Sequence, residues 1–580
     1  MLQDPHLERA FAACLTFQVV HVAATDRKRQ GVFYTPPWLA LALAESLIGF
    51  RSLPGTALAQ SERAAVPARA IGPQSAAAPT VLDTSCGSGT LLVAALEVLA
   101  RQQTTTPATA EERAQTRLKL APYIYGVELD EAAVRATRQS LALACGLEAD
   151  ADCGAHLHCG DGLLGELPKD WPNAFDLSIA NPPFGTVNRL GRRHPIQQAL
   201  PNRFPAIWQD KSDISIFFLA RLLELSTRCA AIVPSAIFAA DKCRRFRTDS
   251  REGRHVRFLE MSDVHLFDSA SVAVGLIRFE RDPSGAGSLE GWRCKMPEAT
   301  RTVIDHFAKA QSAPADWVLT VDAPRSGRWI VSDSKTHARW LTVGQDTSRI
   351  GERYLVGKGM ETGFNAGFQV SQEVFGSLTE DERGRWLQRR IRNREIQRFA
   401  LEPASTFLAR TFLAQTFDEL PAPLRQWLEL HETPLKARAA FRRGDCEWWT
   451  FTFPLHQHHY SGFRVVTPYR SATMRFTCVG PNGGIGLTDT TAIFCPDEGD
   501  AQALAALLNS KFVADYYRGL AKCTGKGIYE FFENQIREIP LPAKWEQHIP
   551  ELSALGRRAG AGESIDAQLD ASVEAMFRGQ

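Results

Sequence analysis

A chain of 580 residues, 44% hydrophobic and 23% charged, is long enough to bury at least two cores and is neither disordered nor fibrous. No uncharged apolar run reaches the ~18 residues of a membrane span, and the opening residues MLQDPHLERA lack the basic and apolar regions of a secretory signal, so a cytoplasmic protein is expected. The net charge of +1 does not mark a globally basic nucleic-acid binder.

Residues 1–50 read as a helical segment around GVFYTPPWLALALAESLI, where Thr35-Pro36-Pro37 supplies a cap followed by first-turn proline. An Ala/Pro-rich stretch, 51–79, reads as a flexible insertion. From 80 to 290, apolar runs (TVLDTS, YIYGVEL, HLHCGDG, FDLSIANPPF, CAAIVPSAIF) alternate with helical patterns, which predicts an α/β fold: a doubly wound parallel sheet with helices on both faces. After RDPSGAGSLEG the rhythm is lost, and 291–545 reads as a separate α+β domain with a helical tail at 546–580. The 12 cysteines contain no C-x-x-C pair, which suits a reducing compartment, and HQHHY (His456, His458, His459) has no acidic or cysteine partner at ligand spacing, so no metal is expected.

Three strand ends carry polar chemistry. VLDTSCGSGTLL runs from a strand ending in Asp83 through Gly87 and Gly89 into a helix, the arrangement in which backbone approaches a ligand at the carboxyl end of a strand; a dinucleotide, S-adenosylmethionine and a tight turn all fit it. The next strand ends in YGVELD, with Glu128 placed where it could accept from ribose hydroxyls, and CGDG brings Asp161 and Gly162 to the same edge. The full G-x-G-x-x-G spacing of a pyrophosphate cradle is missing, which favours a nucleoside ligand without a diphosphate.

FDLSIANPPFG ends a buried strand in residues that cannot continue pairing. The exocyclic amine of an aromatic base is a poor nucleophile because its lone pair is delocalised. Two acceptors at one point, the Asn181 side-chain oxygen and the Pro182 carbonyl, would take both amine hydrogens and localise that lone pair. Phe184 would offer a stacking face worth about 1–3 kcal/mol. The loop that follows, GTVNRLGRRHPIQQALPNRFPAIWQDKSD, is long and basic, and its Arg189, Arg192 and Arg193 are candidate DNA contacts. Further arginine clusters lie at 241–257, 385–398 and 436–444.

The ordered set FYTP, DTSCGSG, GVELD, GD and NPPF resembles the gamma-class adenine-N6 DNA methyltransferases of restriction-modification systems. The resemblance implies a Rossmann-like methyltransferase sheet over 80–290, S-adenosylmethionine as cofactor, and a target recognition domain over 291–545. It places Thr35 in the segment closing over the methionine end of the cofactor, and Asp83, Cys86 and Gly87 in the loop at its methionyl part. Thr84 stands where the family most often has proline. Glu128 becomes the ribose-binding acid, Asp161 and Gly162 contacts to the cofactor adenine, and Phe218 an apolar neighbour of that ring. Asn181, Pro182 and Phe184 become the catalytic loop, and Phe267 a second aromatic against an extruded base. In the distal domain the resemblance extends to YLVGKGMETGFNAGFQV, whose Lys358, Thr362 and Asn365 are candidate DNA contacts. The implied substrate is double-stranded DNA with the target adenine flipped out.

With about 30 residues before FYTP and about 40 after IPLP, a fused nuclease is not expected, so any restriction endonuclease or defence partner would be a separate chain. Two other readings stay open: methylation of a protein glutamine or RNA base, and an inert methyltransferase fold serving as a DNA-binding specificity or defence component.

Overall fold

The computed structural model describes residues 4–21, 35–48, 78–104, 108–187, 194–262, 264, 273–294, 300–309, 317–322, 327–334, 337–338, 343, 347–403, 406–521 and 527–579. The chain divides into two compact units, one running to Ser334 and the other built from the residues after it.

In the first unit, helices α1 (Pro5–His21) and α2 (Pro37–Ile48) precede the sheet. Then come β1 (Val81–Asp83), α3 (Thr90–Gln103), α4 (Ala110–Leu120), β2 (Ile124–Glu128), α5 (Glu131–Ala144), β3 (His156–Cys159), β4 (Phe175–Ala180), α6 (Pro195–Arg203), α7 (Ser215–Leu225) and β5 (Ser226–Pro234). The unit continues with α8 (Arg244–Arg251), β6 (Arg254–Glu260), β7 (Val274–Arg281), β8 (Ser288–Arg293), α9 (Thr300–Lys309) and the hairpin β9 (Trp317–Asp322) and β10 (Arg328–Asp333). Eight strands form one sheet in the order β3-β2-β1-β4-β5-β7-β6-β8. Pairing is parallel from β3 through β5, as the alternating pattern predicts. It turns antiparallel where β7 inserts between β5 and β6.

Alternate strand residues enter two cores, the period-two rule of a sheet covered on both sides. Ala230 and Ile232 of β5 join Leu177 and Ile179 under α1, α2 and α3, whereas Cys229, Ala231 and Val233 face the Phe217 and Leu222 side of α7. Arg117, fully buried on α4, ties this scaffold together. It donates to the Ala144 carbonyl at 2.5 Å and to Asp4 at 3.0 Å, and it pairs with the buried Glu97 of α3.

The boundary expected near residue 290 is overrun: β8 extends the sheet, and Trp329 of β10 packs on Phe258 at 5.4 Å between ring centroids, so the hairpin belongs to the first unit. The inserted stretch read at 51–79 lies outside the described residues apart from its last two.

The second unit is α+β. One four-stranded sheet runs β11 (Leu355–Lys358), β19 (Thr490–Cys495), β15 (Phe463–Pro468), β17 (Thr477–Val479). Another runs β12 (Gln369–Val370), β14 (Phe407–Ala409), β13 (Leu387–Ile391), β18 (Ile485–Gly486). Near its end the helices Glu498–Asn509 and Trp545–Gly560 pack so closely that a Cβ at Gly556 would lie 2.5 Å from the Gln502 carbonyl oxygen.

Candidate active site

The four strands that carry the predicted chemistry are neighbours, in the order β3-β2-β1-β4. β1 pairs with β2 through Asp83 and Gly126, and with β4 through Leu82 and Ser178, so their carboxyl ends open onto one sheet edge about 4.8 Å apart strand to strand. Chain connections leave β1 in one direction and enter β4 from the other, which makes a crevice at the switch point.

The glycine loop is mostly buried and held by its own hydrogen bonds. Cys86 N donates to the Val127 carbonyl at 3.1 Å, and Gly89 N to the Cys86 carbonyl at 2.9 Å. Gly87 and Gly89 both adopt left-handed φ, +55° and +88°, which side chains disfavour. A Cβ on Gly89 would strike Thr137 at 2.9 Å, whereas one on Gly87 would meet nothing within 4 Å, so the Gly87 face is open. Glu128 fastens this loop: its Oε2 accepts from Gly87 N at 2.9 Å, while Oε1 accepts from Leu129 N at 2.8 Å and Asp130 N at 3.2 Å.

Asp83 is 1% exposed and accepts from Ser85 N at 2.9 Å. Burial, reinforced by the charge of Glu128, pushes its carboxyl up to about 8. Beside it the Thr84 hydroxyl is buried with no hydrogen-bond partner among the described residues. Cys86 is buried too, and burial raises its thiol well above the ordinary range, so it is no nucleophile. Asp161 Oδ1 accepts from Leu163 N at 2.9 Å and Leu164 N at 3.1 Å, closing a turn against the loop. Gly162 is dictated by that contact, because a Cβ there would lie 1.9 Å from the Thr84 carbonyl oxygen.

The Asn-Pro-Pro-Phe segment leaves β4 at the same edge. Asp176, near the strand's other end, accepts from Thr80 N and Oγ1 at 2.9 Å and fixes β4 against the approach to β1; it is a structural residue. Asn181 is half-buried, and its Nδ2 donates to Thr35 Oγ1 at 3.0 Å. Thr35 is buried just before α2. Gly185, after the segment, is clamped: its N–H donates to Asp213 Oδ2 at 3.0 Å, and its carbonyl accepts from Ile214 N at 2.8 Å. Burial raises the Asp213 carboxyl, opposed by the hydroxyl and backbone N–H of Ser215.

Phe184 departs from expectation. Its ring, expected as an exposed face, is 6% exposed and belongs to the apolar cluster of Ile179, Leu43 and Met261. Phe218, on α7, is likewise buried, in the cluster of Tyr125 and Trp171. Phe267, Arg189, Arg192 and Arg193 lie outside the described residues.

In the second unit Lys358 is half-buried and pairs with Glu361 at 3.4 Å, and Asn365 is exposed. Thr362 is buried: its hydroxyl donates to Asn365 Oδ1 at 2.5 Å and its carbonyl accepts from Arg438 Nη1 at 2.6 Å, so it braces its loop. Several clustered arginines are scaffolding as well. Arg247 donates to the carbonyls of Ile237, Ala240 and Gly327, and Arg438 to those of Leu435, Trp448 and Thr450.

Three contacts at the site were not expected from sequence. Cys14 Sγ donates to the Ser88 carbonyl at 3.1 Å, Gln18 Nε2 donates to Ser88 Oγ at 2.8 Å, and Asp213 holds Gly185. Only Asp213-x-Ser215, a side-chain turn pattern at a helix start, carries a readable signal.

The N-6 DNA Methylase family profile matches residues 11–287, which span both the glycine loop and the Asn-Pro-Pro-Phe edge. Among solved structures, the type IIL restriction-modification enzyme MmeI in complex with DNA is similar at TM-score 0.56 and 13% identity, over 86% of this chain and 69% of that one. The DrdV–DNA complex is similar at TM-score 0.51 and 11% identity, over 97% of this chain and 60% of that one. At those identities the likeness is one of fold. No curated protein matches the chain. The parallel, doubly wound part of the sheet and the ordered acidic strand ends lie within residues 11–287, the part of the chain that matches the N-6 DNA Methylase family.

Proposed function

We propose that this chain transfers a methyl group from S-adenosylmethionine to the N6 amine of a flipped-out adenine in a specific double-stranded DNA sequence, as the modification activity of a restriction-modification or phage-defence system. One observation carries the reading: Asn181 and the Gly87 loop leave adjacent parallel strands at a single switch-point edge, with Asn181 held by its amide nitrogen.

The residues present suit the cofactor. Asp83 is a buried carboxylate, which favours a cationic ligand group; Glu128 ends the neighbouring strand β2 and Asp161 follows β3; and the Gly87 face is open for close approach. When bound, S-adenosylmethionine supplies an electrophilic methyl group. Asn181 Oδ1 and the Pro182 carbonyl accept the two amine hydrogens and direct the nitrogen lone pair, and the surplus proton leaves to solvent after transfer. The buried, protonated Cys86 thiol fits direct displacement without a covalent enzyme intermediate. Phe184 supports the loop from below, so that any stacking on the base uses only the accessible edge of its ring.

The reading of sequence is assigned to the second unit, through Lys358 and Asn365, with Arg189, Arg192 and Arg193, in the basic stretch after the Asn-Pro-Pro-Phe segment of the first unit, as further DNA contacts. Both similar structures are described as DNA complexes, which supports a DNA substrate. Purified protein incubated with methyl-labelled S-adenosylmethionine and plasmid DNA is expected to label the DNA. Label in protein or RNA alone, or no transfer, contradicts the proposal.

A further inference from the structure

Resting on that reading, we infer that Thr35 is a positioning residue for catalysis, which sets the amide orientation of Asn181 through the Asn181 Nδ2 to Thr35 Oγ1 hydrogen bond of 3.0 Å. A primary amide has one accepting and one donating arm, and only the accepting arm can take a hydrogen from the target amine. If the amide were reversed, two N–H donors would face the NH2 group, and the lone pair would go unlocalised.

A hydroxyl both donates and accepts; here Thr35 Oγ1 accepts from Asn181 Nδ2. Thr35 is 4% exposed and immediately precedes Pro36, whose carbonyl accepts from Leu39 N and Ala40 N at the start of α2, so its backbone is fixed by the helix. α2 itself is buried from Leu39 to Ile48 at all but two positions. Asn181 is equally constrained, because β4 ends at Ala180, two prolines follow, and Gly185 is clamped by Asp213. Two constrained segments 146 residues apart are therefore joined by this hydrogen bond, which engages the nitrogen arm of the amide. Asn181 has further interactions of its own; Thr35 is the partner that identifies its nitrogen arm.

This role differs from contact with the methionine end of the cofactor, and the two are separable. Thr35→Val keeps the shape and removes the hydroxyl, Thr35→Ser keeps the hydroxyl, and Thr35→Ala removes it without bulk should the valine fail to fold. Wild type and variants are compared by cofactor binding at equilibrium and by single-turnover methylation of plasmid DNA. The inference expects Thr35→Val and Thr35→Ala to lose at least tenfold in the transfer rate with S-adenosylmethionine affinity within twofold of wild type, and Thr35→Ser to stay within threefold on both measures. Equal transfer rates in the hydroxyl-free variants overturn it, as does a loss confined to cofactor affinity. Absence of methylation by the wild type instead removes the reading on which it rests.

Discussion

Glu128 and Gly87, 41 residues apart, are joined by a 2.9 Å hydrogen bond from the Gly87 N–H to Glu128 Oε2, while Glu128 Oε1 accepts from two further backbone N–H groups. Both oxygens of the carboxylate are thus engaged, and the acid that would hold the ribose also shapes the loop beside it. A glutamine cannot replace it, since either amide orientation sets an NH2 group against a backbone N–H. Glu128→Gln is expected to weaken S-adenosylmethionine binding by at least tenfold, about 1.4 kcal/mol, read by calorimetry. Unchanged affinity would separate Glu128 from the cofactor.

The two loop glycines answer to different constraints. Gly162→Ala drives a methyl group into the Thr84 carbonyl at 1.9 Å, a backbone atom that cannot swing away, and should destabilise the fold by about 1–3 kcal/mol or more. Gly87→Ala meets nothing, so its stability cost is the left-handed backbone penalty of about 1–2 kcal/mol, yet its methyl group occupies the open face. Denaturation and cofactor titration together should show Gly162→Ala losing chiefly stability and Gly87→Ala chiefly affinity.

Asp83 makes a pH prediction. Burial raises its carboxyl to about 8, whereas in the unfolded chain it ionises near 4, so between these values the folded state binds the extra proton. The stability contributed by that protonation is complete below about pH 4 and is lost as the pH rises to about 8. Asp83→Asn has no such titration, so its melting temperature relative to wild type should climb between pH 5 and 8 and level off above. A cationic ligand requires the ionised form, so wild-type cofactor affinity should rise from pH 6 to 8, and the asparagine variant should lose that dependence.

The buried ring of Phe184 predicts a loss of stability when it is cut back. Phe184→Ala removes a core side chain and should cost about 3–5 kcal/mol of stability, measured by denaturant unfolding. Phe184→Leu, which keeps most of the volume, should be the milder change in stability. A Phe184→Ala protein as stable as wild type would mean that the ring packs against nothing essential.

What could be read in advance follows from what is local. The glycine loop, Glu128, Asp161 and the Asn-Pro-Pro-Phe segment each follow a short apolar run, and in a doubly wound sheet such strand ends converge whatever the rest of the chain does. A proline pair marks the end of a strand but not the direction of the next side chain, and here most of the Phe184 ring turns into the core. The antiparallel β7 and the β9–β10 hairpin depend on which distant edge is free to pair, and no local pattern reports that. The contacts of Gln18, Thr35 and Asp213 join segments 70, 146 and 28 residues apart, and only the fold supplies them.

The central claim is that Asn181 activates an adenine amine at this edge. Its most direct test is nucleoside mass spectrometry on plasmid DNA treated with S-adenosylmethionine and either wild type or Asn181→Ala. N6-methyladenine from the wild type alone, with cofactor binding retained by the variant, is the predicted result. A different methylated base, or equal N6-methyladenine from the variant, would contradict it.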